Sequence, residues 1–91
     1  MKIERIRKTS AQTITLDSGA VVLVSYSTPV ACFIPGEGYF RTDKKWSTTT
    51  SKQVNQWLRS ERGDSDAPTR SQEWFSALLD ASTITLQAMY Q

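Results

Sequence analysis

Residues 21–58 read VVLVSYSTPVACFIPGEGYFRTDKKWSTTTSKQVNQWL, and the pattern changes within them decide the fold. Two apolar runs come first, Ala20 to Tyr26 and Val30 to Ile34, and each has the length and residue types of a strand. Pro35 to Gly38 concentrates turn-forming residues, so Tyr39 to Thr42 is predicted to return as a short antiparallel strand. The segment therefore predicts the centre of an antiparallel sheet.

The strand Ala20 to Tyr26 is apolar on both of its faces. Val21 and Leu23 alternate with Val22 and Val24, and successive side chains of a strand point to opposite faces. A strand with two apolar faces is typically buried on both sides. We therefore predict that it lies in the interior of the sheet.

Two more strands are predicted on the amino-terminal side, Ile3 to Lys8 and Gln12 to Leu16. Asp17-Ser18-Gly19 supplies the turn that leads into the central strand. An edge position for Gln12 to Leu16 would let a second copy of the chain pair with it, which gives a route to a homodimer. Ser27-Thr28-Pro29 is expected to interrupt the strand pairing, because proline has no N–H to donate.

After Trp46 the hydrophobic period changes from that of a strand to that of a helix. Val54, Trp57 and Leu58 have the i, i+3, i+4 spacing of one helical stripe, which predicts a helix over residues 49–60. Its candidate N-caps are the hydroxyl residues at its start, Thr49, Thr50 and Ser51.

A second helix is predicted over residues 70–81, after a polar loop at residues 61–69. Thr69 and Gln72 have capping-box spacing at its start. Its apolar stripe consists of Trp74, Phe75, Leu78 and Leu79. The tail, residues 82–91, alternates like a strand and is also compatible with a continuation of this helix.

These elements predict a single α+β domain over residues 1–91. Residues 1–42 form a small antiparallel meander of four to five strands, and the two short helices pack on one face of it. A chain of this length buries a thin core, so most aromatic rings are expected to lie within that core.

Composition argues against several classes of function. The chain has one cysteine, no histidine and a formal charge of +2, so Cys32 has no internal disulfide partner, and a structural zinc site and histidine-based catalysis have no plausible residues. Without a recognisable nucleophile–base pair or binding motif, we expect no enzyme activity, no metal and no cofactor. No signal sequence or membrane-spanning run is recognisable, so we expect a cytoplasmic location and no membrane partner.

The main candidate site lies where the strand Tyr39 to Thr42 leads into the first helix. A helix start favours anions through its unpaired N–H groups and its dipole. The predicted nucleic-acid-binding or anion-binding residues are Arg41, Lys44, Lys45, Thr50, Ser51 and Lys52. The predicted aromatic contacts, which would stack on bases, are Tyr39 and Trp46. The simpler alternative is that the hydroxyls cap the helix, the lysines are solvated and the rings pack in the core.

Several short motifs between Ala20 and Ser60 share their order and spacing with a known family. They are Ser27-Thr28-Pro29-Val30-Ala31, Gly38-Tyr39-Phe40-Arg41-Thr42, Trp46-Ser47, Thr49-Thr50-Ser51-Lys52 and Trp57-Leu58. The pattern resembles a family of small proteins of unknown function encoded by bacteriophages and prophages. Members of that family often carry histidine where Gln53 stands and tyrosine where Trp46 stands. The resemblance implies a phage accessory protein inside a bacterial host cell, and it supplies no catalytic residues.

Two functions are compatible with these observations. The first is a non-catalytic binding module that uses its basic and aromatic face on nucleic acid. The alternative is a protein-directed inhibitor or modulator of a bacterial host complex, for example an anti-CRISPR-type protein. In that case Trp46 or Tyr90 would serve as an interface anchor, since aromatic residues contribute strongly to interface energies.

Overall fold

The computed structural model describes residues 2–5, 11–26 and 28–79. The predicted strand Ile3 to Lys8 lies partly outside these residues. The last two positions of the second predicted helix and the whole tail, residues 82–91, also lie outside them.

Within the described residues, six strands form one sheet in the order in which they occur along the chain. The first five pair antiparallel with their neighbours, and the sixth pairs parallel with the fifth. The strands are β1 (Lys2–Arg5), β2 (Ala11–Thr15), β3 (Val21–Ser25), β4 (Thr28–Ile34), β5 (Gly38–Thr42) and β6 (Thr69–Arg70). The predicted α+β class with an antiparallel meander is confirmed, and β6 is an addition that the sequence pattern did not predict.

β4 begins at Thr28 and includes Pro29, so the predicted interruption of pairing at the proline is wrong. Pro29 pairs with Val24, and the register of β3 and β4 shifts between Leu23 and Val24. The shift leaves Val30 as the extra residue of a β-bulge, an irregularity that accommodates proline within a sheet. Val30 is fully buried at this bulge.

β2 is an interior strand, which corrects its assignment to a possible edge. It pairs with β1 on one side and with β3 on the other, so its backbone groups are engaged on both sides. The outer strands of the described sheet are β1 and the two-residue β6, and Ile3 on β1 is exposed. A homodimer formed by edge pairing would therefore use β1 or β6 instead of Gln12 to Leu16.

The two helices lie on opposite faces of the sheet, which corrects the prediction that both pack on one face. Leu58 of the first helix belongs to the same core cluster as Leu23, whereas Phe75 of the second belongs to the same cluster as Val22. Leu23 and Val22 are neighbours on β3 and therefore point to opposite faces. The helices are α1 (Thr48–Arg62) and α2 (residues 72–79). Within the described residues, no helix has both the length and the apolar character needed to cross a membrane.

The chain changes face at β6, which takes the last residue of the predicted loop and the first residue of the second predicted helix. α1 ends at Arg62, and the residue that caps it is Gly63, whose φ of 95° is readily adopted by glycine. The chain then follows the outer side of β5. The Arg41 N–H donates to the Pro68 carbonyl and the Asp43 N–H donates to the Arg70 carbonyl, each at 3.0 Å. These bonds hold residues 68–70 against β5 at the point where the chain passes from the α1 face to the α2 face.

Ser71 is the N-cap of α2, so the predicted capping box of Thr69 and Gln72 is wrong. The Trp74 N–H donates to the Ser71 Oγ at 3.2 Å, which is the usual bond of an N-cap hydroxyl to the third helical residue. Thr69 already belongs to β6, and Gln72 is the first helical residue.

We expect core substitutions on the two faces to act independently. Val54→Ala and Phe75→Leu each remove apolar volume from a different cluster, and each should lower the free energy of unfolding by about 1–3 kcal/mol. The double variant should lose the sum of the two effects within about 0.5 kcal/mol, because distant sites without shared neighbours behave additively. Urea unfolding followed by circular dichroism measures all three values.

The matched control is Phe40→Leu combined with Trp74→Leu, because those two rings lie 5.4 Å apart on one face. Residues that touch each other couple by about 0.5–3 kcal/mol, so this pair should depart from additivity. If Val54 and Phe75 coupled as strongly as the control pair, the two-faced packing would be contradicted.

Candidate functional site

Ser47 is the N-cap of α1. Its backbone is extended, with φ −66° and ψ 164°, and its Oγ accepts a hydrogen bond of 3.2 Å from the Thr50 N–H. The predicted caps Thr49, Thr50 and Ser51 are therefore wrong, because all three already belong to the helix. The first turn of α1 contains no acidic residue, so no carboxylate within that turn offsets the positive end of the helix dipole.

A chain of hydroxyl groups fixes the start of α1 to the sheet. The Ser25 hydroxyl at the end of β3 donates to the Gln53 Oε1 at 2.6 Å. Because a hydroxyl has a single proton, Thr50 donates to Ser25 at 3.1 Å, and Ser47 donates to Thr50 at 3.3 Å. Ser25 and Thr50 are buried. The Thr50 hydroxyl therefore holds α1 in place.

A surface cavity of about 150 Å³ lies between the end of β5 and the start of α1, and we call it the basic cavity. Its cationic residues are Arg41, Lys44 and Lys45, and Asp43 contributes an opposing carboxylate. Six of the eight predicted site residues line it: Arg41, Lys44, Lys45, Trp46, Thr50 and Ser51. The structure thus brings most of the predicted residues to one concave surface.

Arg41 is held in place by bonds within the protein. Its Nη1 donates to the Asn55 Oδ1 on α1 at 3.0 Å and to the Ser65 carbonyl at 2.8 Å. These bonds join β5, α1 and the segment that follows α1. Arg41 therefore contributes a fixed charge to the wall of the basic cavity, and the exposed side chains of Lys44 and Lys45 contribute two further charges.

Trp46 is exposed to solvent, at 36% of its surface, and its ring is held from two directions. Its indole N–H donates to the Gln72 Oε1 at 3.3 Å. The Lys44 Nζ lies 4.4 Å from the ring centroid, within cation–π range. Trp46 therefore stands at the surface in a defined orientation.

Gln72 is a site residue that sequence reasoning missed. Besides accepting from Trp46, its Oε1 accepts from the Thr42 hydroxyl at 2.9 Å, and its Nε2 donates to the Pro29 carbonyl at 2.7 Å. It connects α2 to β4, to β5 and to Trp46. Its partners are distant in the sequence, so no local pattern indicated this role.

Tyr39 and Lys52, the remaining predicted residues, do not line the basic cavity. Tyr39 is half-buried, with its ring 4.8 Å from that of Phe33 and 5.8 Å from that of Trp57. It belongs to an aromatic group packed against the core, as the simpler alternative expected for most rings. Lys52 is exposed on α1.

A second cavity of about 170 Å³ shares Trp46 and Thr50 with the basic cavity. We call it the hydroxyl cavity, because four of its lining residues carry hydroxyl groups on aliphatic side chains: Ser25, Thr28, Ser47 and Thr50. Its other lining residues are Val30 and two aromatics, Trp46 and Tyr26. Sequence reasoning placed Tyr26 in a strand and missed its position beside the helix start.

Cys32 lies apart from both cavities, in the core beneath α2. Burial raises the pKa of its thiol to about 12, and the carboxylate of Glu37 acts in the same direction. The thiol therefore stays protonated at neutral pH, and a protonated, buried thiol is not a nucleophile.

The chain belongs to a family of unknown function, DUF8033, whose sequence profile matches residues 1–77. The match includes the residues of both cavities. No curated protein and no solved structure matches the chain. The family has no assigned activity, so the site itself is the source of evidence on function.

We expect Gln72→Ala to release the ring of Trp46. The substitution removes the acceptor of the indole N–H, and a hydrogen bond of this kind contributes about 0.5–1.5 kcal/mol, equivalent to about a 2- to 10-fold change in an equilibrium. The Trp46 indole proton should exchange with deuterium faster by about that factor in NMR spectra.

Gln72→Glu is the matched control, because it keeps oxygen acceptors for Trp46 and Thr42 and replaces the amide that donates to the Pro29 carbonyl with a carboxylate oxygen. The indole proton should keep its protection in this variant. Identical exchange in the wild type and Gln72→Ala would show that Gln72 does not hold the ring.

Proposed function

We propose that this protein is a non-catalytic accessory binding protein of the phage type, which acts in the cytoplasm of a bacterial host and binds nucleic acid. The observation that carries the proposal is that Lys44, Lys45 and Trp46 line one cavity beside a helix start that contains no acidic residue. The phage assignment rests on the sequence resemblance between Ala20 and Ser60.

The basic cavity has the electrostatics of a phosphate-binding surface. Its three cationic residues outnumber its single carboxylate, Asp43. The helix dipole adds positive potential at the same place. Lysine and arginine side chains that neutralise backbone phosphates supply most of the affinity of sequence-independent binding to nucleic acid. The binding is therefore expected to depend strongly on salt.

Trp46 adds a stacking surface to this charge. Indole rings stack on bases of any sequence, because every base has a π-face. The bond to Gln72 and the cation–π interaction with Lys44 hold the ring before a ligand arrives, so binding costs little side-chain freedom. The cationic residues of the basic cavity and the exposed ring of Trp46 together favour nucleic acid over a simple anion as the ligand.

The alternative is an inhibitor or modulator of a bacterial host complex, with Trp46 as its anchor. An exposed tryptophan held in one orientation is also typical of protein interfaces. This alternative predicts a host protein that co-purifies with the wild type after nuclease treatment and does not co-purify with Trp46→Ala.

Replacing two lysines of the basic cavity should weaken nucleic-acid binding. For a fluorescent 12-nucleotide single strand, the Lys44→Gln/Lys45→Gln variant should bind more weakly than the wild type at low salt. The slope of log K against log salt should become shallower by about 0.7 for each phosphate that the variant no longer neutralises. Fluorescence anisotropy over a salt series measures both quantities.

The control is Arg59→Gln/Arg62→Gln, which removes the same charge from the last turn of α1, at the opposite end of the helix. Its slope should equal that of the wild type. Absence of binding to single-stranded DNA or RNA at low salt, or an equally large decrease in the control, would refute the nucleic-acid proposal.

Ser47→Asp tests the contribution of the helix start. Aspartate caps helices about as well as serine, and its charge is favourable near the dipole, but it cannot donate to Thr50 as Ser47 does. The free energy of unfolding should therefore change by no more than about 1 kcal/mol in either direction. The added carboxylate should repel phosphate and weaken binding to the same oligonucleotide. Unchanged affinity in this variant would show that the helix start takes no part in binding.

A further inference from the structure

Tyr26 combines an unfavourable backbone conformation with an exposed ring. Among the described residues it is the one non-glycine residue with a positive φ, at 49°, and bulky residues seldom adopt that region. Its side chain is 63% exposed, so burial does not offset the backbone cost. Glycine and asparagine are the residues that such a tight connection between strands usually selects. Strain of this kind is typical of positions with a functional role.

The ring of Tyr26 belongs to the wall of the hydroxyl cavity. Trp46 also lines that cavity, and none of the described residues that line it has a charged side chain. Its volume of about 170 Å³ is smaller than the roughly 300–1,000 Å³ of sites for whole small molecules. A single planar, uncharged group is therefore the ligand that its size and lining suit.

The two cavities meet at Trp46, and their chemistry differs. The basic cavity presents Lys44 and Lys45, whereas the hydroxyl cavity presents aromatic rings and residues with neutral donors and acceptors. A single nucleic-acid strand has the matching alternation, with a charged backbone that carries uncharged planar bases. In a duplex the bases are stacked and paired, so their faces are not available.

We infer that the hydroxyl cavity receives one unpaired base between Tyr26 and Trp46 while the adjoining phosphates lie in the basic cavity. This inference rests on the proposed function and specifies its ligand as single-stranded nucleic acid. The hydroxyl groups of Ser25, Ser47 and Thr50 already donate within the protein, so the pocket would hold a base mainly by stacking between the two rings. Stacking depends little on the base, so the pocket accepts bases with little sequence preference.

The experiment compares a fluorescent eight-nucleotide oligothymidylate with an abasic oligomer of the same length, which keeps the sugars and phosphates. Stacking is worth roughly 5- to 150-fold in affinity per base. The wild type should bind the intact strand at least about fivefold more tightly than the abasic one.

Tyr26→Asn removes the ring and suits the backbone, because asparagine tolerates positive φ. Its melting temperature should equal or exceed that of the wild type, while its preference for the intact strand over the abasic strand should fall to about that of Trp46→Ala. Tyr26→Phe keeps the ring and should retain the preference.

The base pocket and the phosphate-binding surface are refuted by different results. If the wild type binds both strands in a salt-dependent manner but without preference, or if Tyr26→Asn keeps the full preference, the base pocket is refuted and phosphate binding in the basic cavity stands. If the wild type binds neither strand at low salt, the proposed function itself is refuted. A Tyr26→Asn variant that no longer captures a host protein but binds nucleic acid unchanged would assign the cavity to a protein ligand and also refute the pocket.

Discussion

The structure depends on the apolar character of both faces of β3. Val22 and Leu23 are fully buried on opposite faces, and neither face can be left in water without forfeiting the hydrophobic contribution of its cluster. One helix cannot cover two faces, so the chain has to place α1 on one side and α2 on the other. The chain therefore has to cross the edge of the sheet. It crosses at β6, which pairs with β5.

The crossing also builds the candidate site. It brings the first residue of α2 to the end of β5, so that Gln72 reaches Thr42, Pro29 and the indole of Trp46. On the opposite side of the sheet, the hydroxyl chain from Ser47 to Gln53 holds the start of α1 against the end of β3. Trp46 lies between these two anchors. The orientation of an exposed ring is therefore a consequence of how the core is covered.

Local sequence patterns predicted the strands around their turns and the stripe of α1, because alternation and helical spacing are local properties. The face occupied by α2 was mispredicted, although the sequence contained the relevant observation. β3 is apolar on both faces, and each of these faces has to be packed against another element. The cap at Ser47 was also open to sequence reasoning, because a hydroxyl residue stands there immediately before the first helical residue. The role of Gln72 and the bulge beside Pro29 could not be predicted from sequence patterns, because both depend on partners in the folded structure.

The residues around the two cavities divide according to what holds them. Arg41 and Thr50 serve the fold, through bonds to Asn55, Ser65 and Ser25, and any ligand meets them as fixed parts of the wall. Lys45 and Tyr26 are exposed, and Tyr26 in addition holds an unfavourable φ. The core does not explain an exposed ring on a strained backbone, and natural chains depart from local consistency mainly at functional positions. The proposed binding function would account for this division.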